Sequence, residues 1–529
     1  MTRRSYPRIR PGSVRMKAQA ALGDQPYAAA GSANEAMVNF HPPHRAADGE
    51  ALAGRDKLVA RARDLVRNNG WAAGGVAKEV DSVIGASFRP LSKPDWKALG
   101  LGADWAAAFK EEVEARWRAW AEDPRNPADA TRVQSVPQML GLAYRTYLTE
   151  GEAFGVVGWK RARPVHTVLR ILDPDLVSNP EGRADEALLR GGVALDADGG
   201  ARGYWIREAH PRAQWSGAGA HRWKFLAREK PWGRPVVLHF FDRNRDGQSR
   251  GVSRLAPVIE KLKMEDHYSR VELQAAVINA VMAAFIRSPM GPDAIDDMFG
   301  EGGDASSILA MQADRAKFYR ERGDVTVGGA RITALYPNDE IGVIPTARPA
   351  AQFGDFEGAV LRNIASGLGL SYEQLAMDWS KTNYSSARAA MIEIWRGWTA
   401  RRRAFAQGFA QPFFMAWLEE QVVEGHIRLP RAAPDFHANW ASYARAKWIG
   451  PGKGFVDPVK EAQAAAMRVS LGLATLEDEA AELTGSDWGE NREQIAREIA
   501  QLPEGVLHPA QESFARLIGP GPEQPDNRD

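Results

Sequence analysis

The chain has 529 residues, enough for about two to four domains that each bury a core of their own. Its 68 basic and 67 acidic side chains nearly cancel, so the overall charge does not indicate a nucleic-acid partner. The sequence contains no cysteine, which excludes disulfides, thiolate metal sites and cysteine nucleophiles and suits a reducing compartment. Because the opposite charges nearly cancel, any contact with nucleic acid must be local or be repeated over many copies.

Residues 1–50 predict a basic, flexible N-terminal arm. They are rich in Ala, Gly, Pro and Arg, and six basic but no acidic side chains occur up to Lys17. Such a segment has little apolar surface to bury, so it is either a solubilising tail or an arm that contacts DNA or a partner. The basic residues also occupy the position of the apolar stretch of a secretion signal, so no signal is predicted.

No membrane partner is predicted. The longest apolar run covers residues 275–286 and contains Asn279. A helix that crosses a bilayer needs about 20 apolar residues, and this run is much shorter. We therefore expect a soluble protein.

The region from Asp56 to Val83 has apolar residues at helical spacing, interrupted at Asn69 and Gly70. This pattern predicts two consecutive helices. A further helix is predicted through Trp105, Phe109, Val113, Trp117 and Trp120, ended by the sequence DPRNP.

Residues 150–245 change character to short β-branched and aromatic runs separated by Gly, Asp and Pro. Such runs predict short, mostly antiparallel strands. Residues 194–206 predict a hairpin, because the Asp-Gly-Gly turn tolerates positive φ angles.

The next region predicts two helices that flank a small β insertion. Ser253 is a candidate N-cap for the first helix, and Ser288-Pro289 is its predicted end. Residues 290–350 contain a Gly-rich stretch followed by short strands, and a second helix is predicted from about Gln352 to Ser366. Together they form a hairpin-like projection.

The C-terminal third predicts a long helical stripe and, from Asp457, an all-α part. A helical stripe begins at Met391 and continues to Trp417, with a kink or break at Pro412 because proline removes a backbone donor. Further helices are predicted from Asp457 onward, with N-caps at Asp457 and Thr475.

Residues 242–253 resemble part of a calcium-binding loop but lack one essential ligand. Asp242, Asn244, Asp246 and Gly247 match the first half of an EF-hand loop. Ser253 stands where the bidentate glutamate should be, and without that ligand a β-turn is the better interpretation.

Other motifs also lack an essential element. Residues 450–454, GPGKG, have no Ser or Thr after the lysine and the wrong spacing for a P-loop, so we predict a turn. Asp173 and Asp175 flank a proline, which favours a turn over a catalytic carboxylate pair. No HExxH and no GxSxG motif occurs. We therefore predict no catalytic residue, no cofactor and no metal, and a protein that is not an enzyme.

The segment 362–391 predicts a helix, a turn formed by glycines and a polar loop. It contains no combination of residues typical of a catalytic site. Its GLGLSYEQL core and its D-x-S-x-T-N-Y-S-S-A-R-A-A run resemble the lambda-type portal proteins of tailed phages. Three further stretches fit the same family in the same order: RARDLVRNNGWAAGGV at 61–76, GQSRGVSRLAPVIEKLK at 247–263 and WIGPGKGFVDPVKE at 448–461. The resemblance covers roughly residues 55 to 500.

The resemblance implies a homo-oligomeric ring, a dodecamer, at one capsid vertex, through which double-stranded DNA is packaged and later ejected. The implied partners are the large terminase subunit, the major capsid or scaffold protein, and head-completion or adaptor proteins. The implied location is the virion, after assembly in the host bacterial cytoplasm.

The resemblance also implies the fold class, which is α+β and mainly helical: a portal-like subunit with an α+β wing, a helical stem, a small β clip and an all-α C-terminal crown. The implied divisions are an arm at 1–50, wing at 51–265, stem helices at 266–290 and 351–370, clip at 291–350, tunnel loop at 371–386, long kinked helix and wing return at 387–430, crown at 431–515, and disordered tail at 516–529.

The tunnel loop supplies the candidate site. It combines one cation with several hydrogen-bonding groups, and in a ring a weak phosphate contact is repeated around the axis. On a monomer the same residues are an ordinary solvated loop. The predicted DNA-channel residues are Ser380, Lys381, Thr382, Asn383, Tyr384 and Ser385.

Two alternatives remain open from the sequence. One is a nucleic-acid- or carbohydrate-processing enzyme with a helical accessory domain, which the missing catalytic motifs disfavour. The other is a different virion component, such as a connector or minor capsid protein.

Overall fold

Helices predominate in the fold, and the sheets are small, as a computed structural model shows. The expected α+β, mainly helical class is confirmed. No helix among the described residues is long and apolar enough to cross a membrane. The structure describes residues 37, 39–86, 88–214, 217–281, 285–287, 350–380, 384–454, 457–503, 506 and 508–511, and short stretches between 310 and 342.

The first helices are α1 (Ala47–Ala51), α2 (Arg55–Asn68) and α3 (Gly70–Val83). The side chain of Asn69 accepts a hydrogen bond of 3.0 Å from the N–H of Ala72 and so caps α3. The predicted break at this asparagine is confirmed.

Two longer helices follow, α4 (Ala103–Ala121) and α5 (Val136–Glu150). The predicted helix through the tryptophans is confirmed, and it ends before DPRNP. Ser135 and Gln138 form a capping box at the start of α5, each side chain accepting from the backbone N–H of the other.

A three-stranded antiparallel sheet packs on α5. Its central strand β2 (Glu152–Trp159) pairs with β3 (Thr167–Leu172) on one side and with β8 (Val237–Phe241) on the other. The glycine between helix and strand, Gly151, has φ +93°, and a Cβ there would lie within 2.3 Å of the backbone at Val252. This position therefore requires glycine.

A second antiparallel sheet has four short strands. Gly199, with φ +82°, forms the turn of the predicted hairpin, which is confirmed. The strands are β4 (Leu189–Arg190), β5 (Val193–Leu195), β6 (Ala201–Arg207) and β7 (Trp223–Ala227).

The next helix, α6 (Ile259–Val281), differs from the prediction at both ends. Ser253 is not its N-cap, since its Oγ accepts a hydrogen bond of 3.2 Å from the N–H of Leu255 in a turn before the helix. The helix also does not continue to residue 288, because β9 (Phe285–Arg287) pairs antiparallel with β12 (Glu340–Gly342). An apolar run of this length fits a helix or a strand, and the distant partner strand decides between them.

The predicted short strands of the insertion are confirmed. β10 (Val325–Val327) and β11 (Ala330–Ile332) form a hairpin, and β12 closes against β9. The chain then enters α7 (Ala350–Leu368). Residues 288–309 lie outside the described part of the chain.

The long helical stripe is divided into α9 (Tyr384–Phe405), a π-helical segment (Ala406–Ala410) and α10 (Gln411–Val423), after a short α8 (Tyr372–Ala376). The N–H of residue 411 donates to the carbonyl of Ala406, five residues back. Pro412, in the first turn of α10, has no N–H to continue the regular pattern. The interruption predicted there takes the form of this π-helical segment.

The C-terminal caps are confirmed: Asp457 accepts from the N–H of Lys460, and Thr475 accepts from the N–H of Asp478. Residues 431–515, which the resemblance implies to be all-α, contain a strand, because β13 (Ala446–Ile449) pairs antiparallel with β1 (Arg89–Ser92). The elements are α11 (Trp440–Tyr443), β13 (Ala446–Ile449), α12 (Pro458–Ser470), α13 (Leu476–Leu483) and α14 (Trp488–Gln501).

The main hydrophobic core joins α4 to α10. Trp117 lies edge-on to Trp417 and to Phe414, with ring centroids 5.0 and 5.2 Å apart. These rings are almost fully buried. A large apolar side chain contributes roughly 1.5–3 kcal/mol when fully buried, so this cluster holds together segments far apart in sequence.

Candidate functional site

The segment 371–386 is anchored at its start by apolar contacts. Leu370 and Leu375 are buried and lie near the Cα of Gly75 in α3. A Cβ at that glycine would lie 3.0 Å from the side chain of Leu368. The small residue thus allows the end of α7 and the short α8 to pack closely on α3.

The local sequence determines where α8 begins and ends. Ser371 and Gln374 form a capping box in which each side chain accepts a 3.2 Å hydrogen bond from the other residue's N–H. Met377 ends the helix in the left-handed region at φ +54°. A methionine seldom adopts this conformation, so the chain makes a defined turn here.

The predicted DNA-channel residues are only partly described. Ser380 is exposed, and its N–H donates to Asp378 Oδ1 at 3.0 Å. Lys381, Thr382 and Asn383 lie outside the described residues. Tyr384 and Ser385 are not in a loop, because they form the first residues of α9.

Two exposed apolar side chains directly before the predicted DNA-channel residues were not identified from the sequence. Met377 is 67% exposed and Trp379 is 42% exposed. The Nζ of Lys78 lies 3.9 Å from the sulfur of Met377. The sequence shows these two large apolar residues directly before a polar loop. Exposed side chains of this kind often mark a surface that binds a partner, so they could have been identified from the sequence.

The helices α6 and α7 pack against each other through aromatic rings. Tyr268 stacks on Phe353 with centroids 5.6 Å apart and lies edge-on to Phe356 at 5.1 Å. Lys261 Nζ donates to Asn363 Oδ1. The two helices predicted to flank the β insertion therefore form one paired unit.

One face of α6 exposes apolar side chains to solvent. Met264, Tyr268 and Val271 recur at spacings of four and three residues and are 64%, 39% and 46% exposed. Leu273, on the opposite face of the helix, is 67% exposed. Because Tyr268 also packs on α7, Met264 and Val271 border the contact between the two helices, whereas Leu273 lies on the far side of α6.

The EF-hand-like residues are occupied by other contacts. Asp242 accepts a hydrogen bond from the Tyr147 hydroxyl, and burial together with this carboxylate raises the pKa of the tyrosine. The N–H of Asn244 donates to Gln248 Oε1 at 2.9 Å. Asp246 is fully exposed and lies 3.7 Å from Arg243, a cation.

Asp173 and Asp175 form the turn that the sequence predicted. Asp173 Oδ1 accepts from the N–H of Asp175 at 2.9 Å, at the start of a 3₁₀ turn. Arg63 donates to both carboxylates, at 2.7 and 2.6 Å. His210 lies 3.6 Å from Asp175, so these three side chains could approach a cation, but the two aspartates already share the guanidinium of Arg63 with Glu150.

The glycine-rich segment 450–454 is a turn that allows close backbone contact. A Cβ at Gly452 would lie 2.5 Å from the carbonyl oxygen of Leu483. The N–H of Lys453 donates to the carbonyl of Glu482 at 2.8 Å. The glycines therefore accommodate the end of α13, which explains the P-loop-like composition without a phosphate site.

Comparison with known proteins identifies the family. A sequence model described as "Phage portal protein, lambda family" matches residues 33–402. The chain belongs to this family. The portal protein of Escherichia phage N15 is 34% identical over 480 residues, covering 89% of each chain. Portal protein B of Escherichia phage lambda is 33% identical over 479 residues, with the same coverage.

A solved structure titled as the virion of a native gene transfer agent particle contains a chain with 13% identity and a TM-score of 0.42, covering 80% of this chain and 92% of that chain. Membership of the portal family follows from the sequence matches. The function of this portal protein is accordingly that of a phage portal, a structural protein of the virion. Nothing in these comparisons favours the enzyme alternative.

Proposed function

We propose that this portal protein closes into a ring of about twelve copies at one capsid vertex. The observation that carries this proposal is the exposed apolar surface on two faces of α6, one beside α7 and one on the far side of the helix. A closed ring uses two different faces of each subunit, because every subunit contacts two neighbours. Met264 and Val271 on one face and Leu273 on the other supply apolar surface for such contacts.

The ring forms a conduit for double-stranded DNA during packaging and ejection, with residues 380–385 facing the axis. The anchored α8 and the exposed Ser380 support this placement, because a firmly held base can present a short polar segment. Lysine contacts phosphates without reading bases, and those contacts weaken with salt. Such contacts suit a polymer that must slide past.

The remaining surfaces bind other components of the particle. We expect the large terminase subunit, the major capsid or scaffold protein, and head-completion or adaptor proteins to dock on the ring, after assembly in the host bacterial cytoplasm. The portal itself has no catalytic activity in this proposal. ATP turnover by the purified protein above a matched contaminant control would contradict that part.

The ring is tested by native mass spectrometry of the purified full-length chain at micromolar concentration and several salt concentrations. A single closed oligomer of about twelve copies is expected. Monomer at every salt concentration would overturn the proposal. Negative-stain images with radial symmetry would distinguish a ring from an open fibre.

A further inference from the structure

Residues 242–247 form an exposed turn between β8 and the buried Arg250. Within this turn, Asp246 is directly followed by Gly247. The side chain of Asp246 is fully exposed, and its nearest listed charge is Arg243 at 3.7 Å. Gly247 is also exposed, and a Cβ there would meet no described atom within 4 Å beyond its chain neighbours. The carboxyl group and the N–H that follows it therefore both have space around them.

An aspartate followed by glycine can isomerise without an enzyme, since glycine has no Cβ to hinder the approach of its nitrogen. The glycine nitrogen attacks Cγ of the aspartate and forms a new C–N bond. The carboxyl OH leaves with the amide proton as water, and a cyclic succinimide remains. Water then adds to one of the two carbonyl carbons. Addition at the main-chain carbonyl breaks the original peptide bond and leaves the chain linked through Cγ, as an isoaspartyl residue.

The sequence contains three Asp-Gly pairs and one Asn-Gly pair, and two of these four are protected by burial. Asp48 is buried, and its carboxylate accepts hydrogen bonds from the N–H and the Oγ of Ser249. Asn69 is buried and caps α3 by accepting from the N–H of Ala72. A side chain fixed in this way must break its hydrogen bonds before Cγ can meet the next backbone nitrogen.

The third Asp-Gly pair, at Asp198 and Gly199, is exposed but its nitrogen is occupied. The N–H of Gly199 donates to the carbonyl of Asp196 at 3.2 Å in the hairpin turn. The N–H of Gly247, in contrast, makes no hydrogen bond to another residue in the part of the chain that the structure describes. Of the four pairs, Asp246 and Gly247 thus combine an exposed carboxyl group with an accessible nitrogen.

The same turn lies between two residues that hold α1, at the end of the predicted N-terminal arm. Arg245 Nη1 donates to Glu50 Oε2 at 2.6 Å and to the carbonyl of Arg45 at 3.2 Å. Ser249 donates from its N–H and its Oγ to the carboxylate of Asp48, at 2.8 and 2.9 Å. Residues on both sides of the exposed Asp-Gly bond therefore attach α1.

Isomerisation changes the length of the main chain at this point. The isoaspartyl linkage runs through Cβ and Cγ, so it adds one atom to the backbone between Arg245 and Ser249. The loop is fixed on its far side, because Arg250 donates to the buried Glu152 at 2.9 and 2.6 Å. The additional atom displaces Arg245 relative to Ser249, and the two residues no longer match the spacing of their partners in α1.

We propose that the bond between Asp246 and Gly247 is a site of spontaneous isomerisation to isoaspartate, and that the modified loop releases α1 while the core stays folded. Water is the co-reactant, so the modified fraction increases with the age of the protein. Elements attached through a few polar contacts open at lower free energy than a buried core. The N-terminal arm then loses its last attachment before α2.

Incubation of the purified full-length protein in water enriched in heavy oxygen tests the reaction. Samples are taken at increasing times at near-neutral pH and digested with an endoproteinase that cleaves before aspartate but not before isoaspartate. We expect cleavage before Asp246 to be lost progressively and heavy oxygen to appear in this residue by mass spectrometry. Cleavage before Asp48 and Asp198 should persist.

Two matched variants separate isomerisation from other effects of age. Asp246→Glu keeps an exposed carboxylate, but its longer side chain would have to close a larger ring, which forms much more slowly. This variant should not isomerise. Asp198→Glu makes the same change at the exposed pair whose glycine N–H is occupied, and it should age like the wild type.

Hydrogen exchange of the aged samples tests the release of α1. The N–H groups of Glu50 and Leu52 donate to the carbonyls of Ala46 and Asp48, so their exchange reports on this helix. In the fraction that carries isoaspartate, we expect this protection to be lost and that of α5, in the main core, to stay unchanged. Aged Asp246→Glu should keep the protection of α1.

Intact cleavage before Asp246 after prolonged incubation would overturn the proposed site, and so would an equal loss of cleavage before Asp198. Isoaspartate at residue 246 together with full protection of α1 would overturn the proposed release. Loss of α1 protection in aged Asp246→Glu would do the same, because the opening would then not depend on isomerisation.

Discussion

Arg250 and Glu152 are bonded to each other where neither side chain reaches solvent. The guanidinium donates to Glu152 from Nε at 2.9 Å and from Nη2 at 2.6 Å, and the side chains are 2% and 0% exposed. Arg55 of α2 and His239 of β8 contact the same carboxylate. One buried charge therefore joins α2, β2, β8 and the segment that leads into α6.

Glu152→Gln should destabilise the protein by about 3–5 kcal/mol, because it leaves Arg250 and Arg55 buried without a counter-charge. Burial opposes ionisation of Glu152, yet Arg250 and Arg55 hold its pKa well below the ordinary value, so the charge is present at neutral pH. Urea unfolding followed by tryptophan fluorescence measures the change. Glu186→Gln is the control, since its partner Arg183 is exposed and the pair contributes at most about 1 kcal/mol.

The sequence predicted the features that depend on neighbouring residues. Asp457 and Thr475, both predicted as N-caps, accept a hydrogen bond from an N–H three residues ahead, which makes their role visible locally. Asn69, predicted only as a break between two helices, caps α3 in the same way. The bond between Glu152 and Arg250 joins residues 98 positions apart, and no local pattern indicates it. The strand at 285–287 was missed for the same reason, because its partner lies beyond the β insertion.

The candidate site was predictable only in outline. Capping by Ser371 and the Gly-broken elbow fix where α8 lies, and both are local. The pairing of β13 with β1 joins strands that lie far apart in the sequence, and no local pattern indicates it. The hydrogen bond from the N–H of Ser92 to Glu114 likewise appears only once β1 is placed against α4.

Asn69→Ala should lower the free energy of unfolding by about 0.5–2 kcal/mol. The side chain is buried and satisfies the N–H of Ala72, so its loss leaves a donor without a partner at the start of α3. Thermal unfolding measures the effect. Asn68→Ala is the matched control, because Asn68 is exposed and bonds to Asp64 on the surface; equal losses for the two variants would contradict the capping role.

Val271→Glu should prevent ring closure while leaving the fold intact. The side chain is 46% exposed in the monomer, so a charge there is tolerated, but burying it against a neighbouring subunit without a partner is unfavourable. Native mass spectrometry should show smaller species with an unchanged circular dichroism spectrum. Val133→Glu changes a 71% exposed valine outside the α6–α7 pair and should still assemble. Normal rings from both variants would exclude the α6 face as a subunit contact.

Lys381→Ala should leave assembly intact and reduce packaging or retention of DNA. Removing one lysine from each subunit removes a set of phosphate contacts around the ring axis, which are independent of base sequence and weaken with salt. Complementation of a portal-deficient phage, scored by packaged DNA per particle, measures the effect. Lys57→Ala removes an exposed lysine of α2 and serves as the control. A Lys381→Ala variant that assembled poorly, yet packaged normally in the rings that did form, would place this segment in a subunit interface and away from the channel.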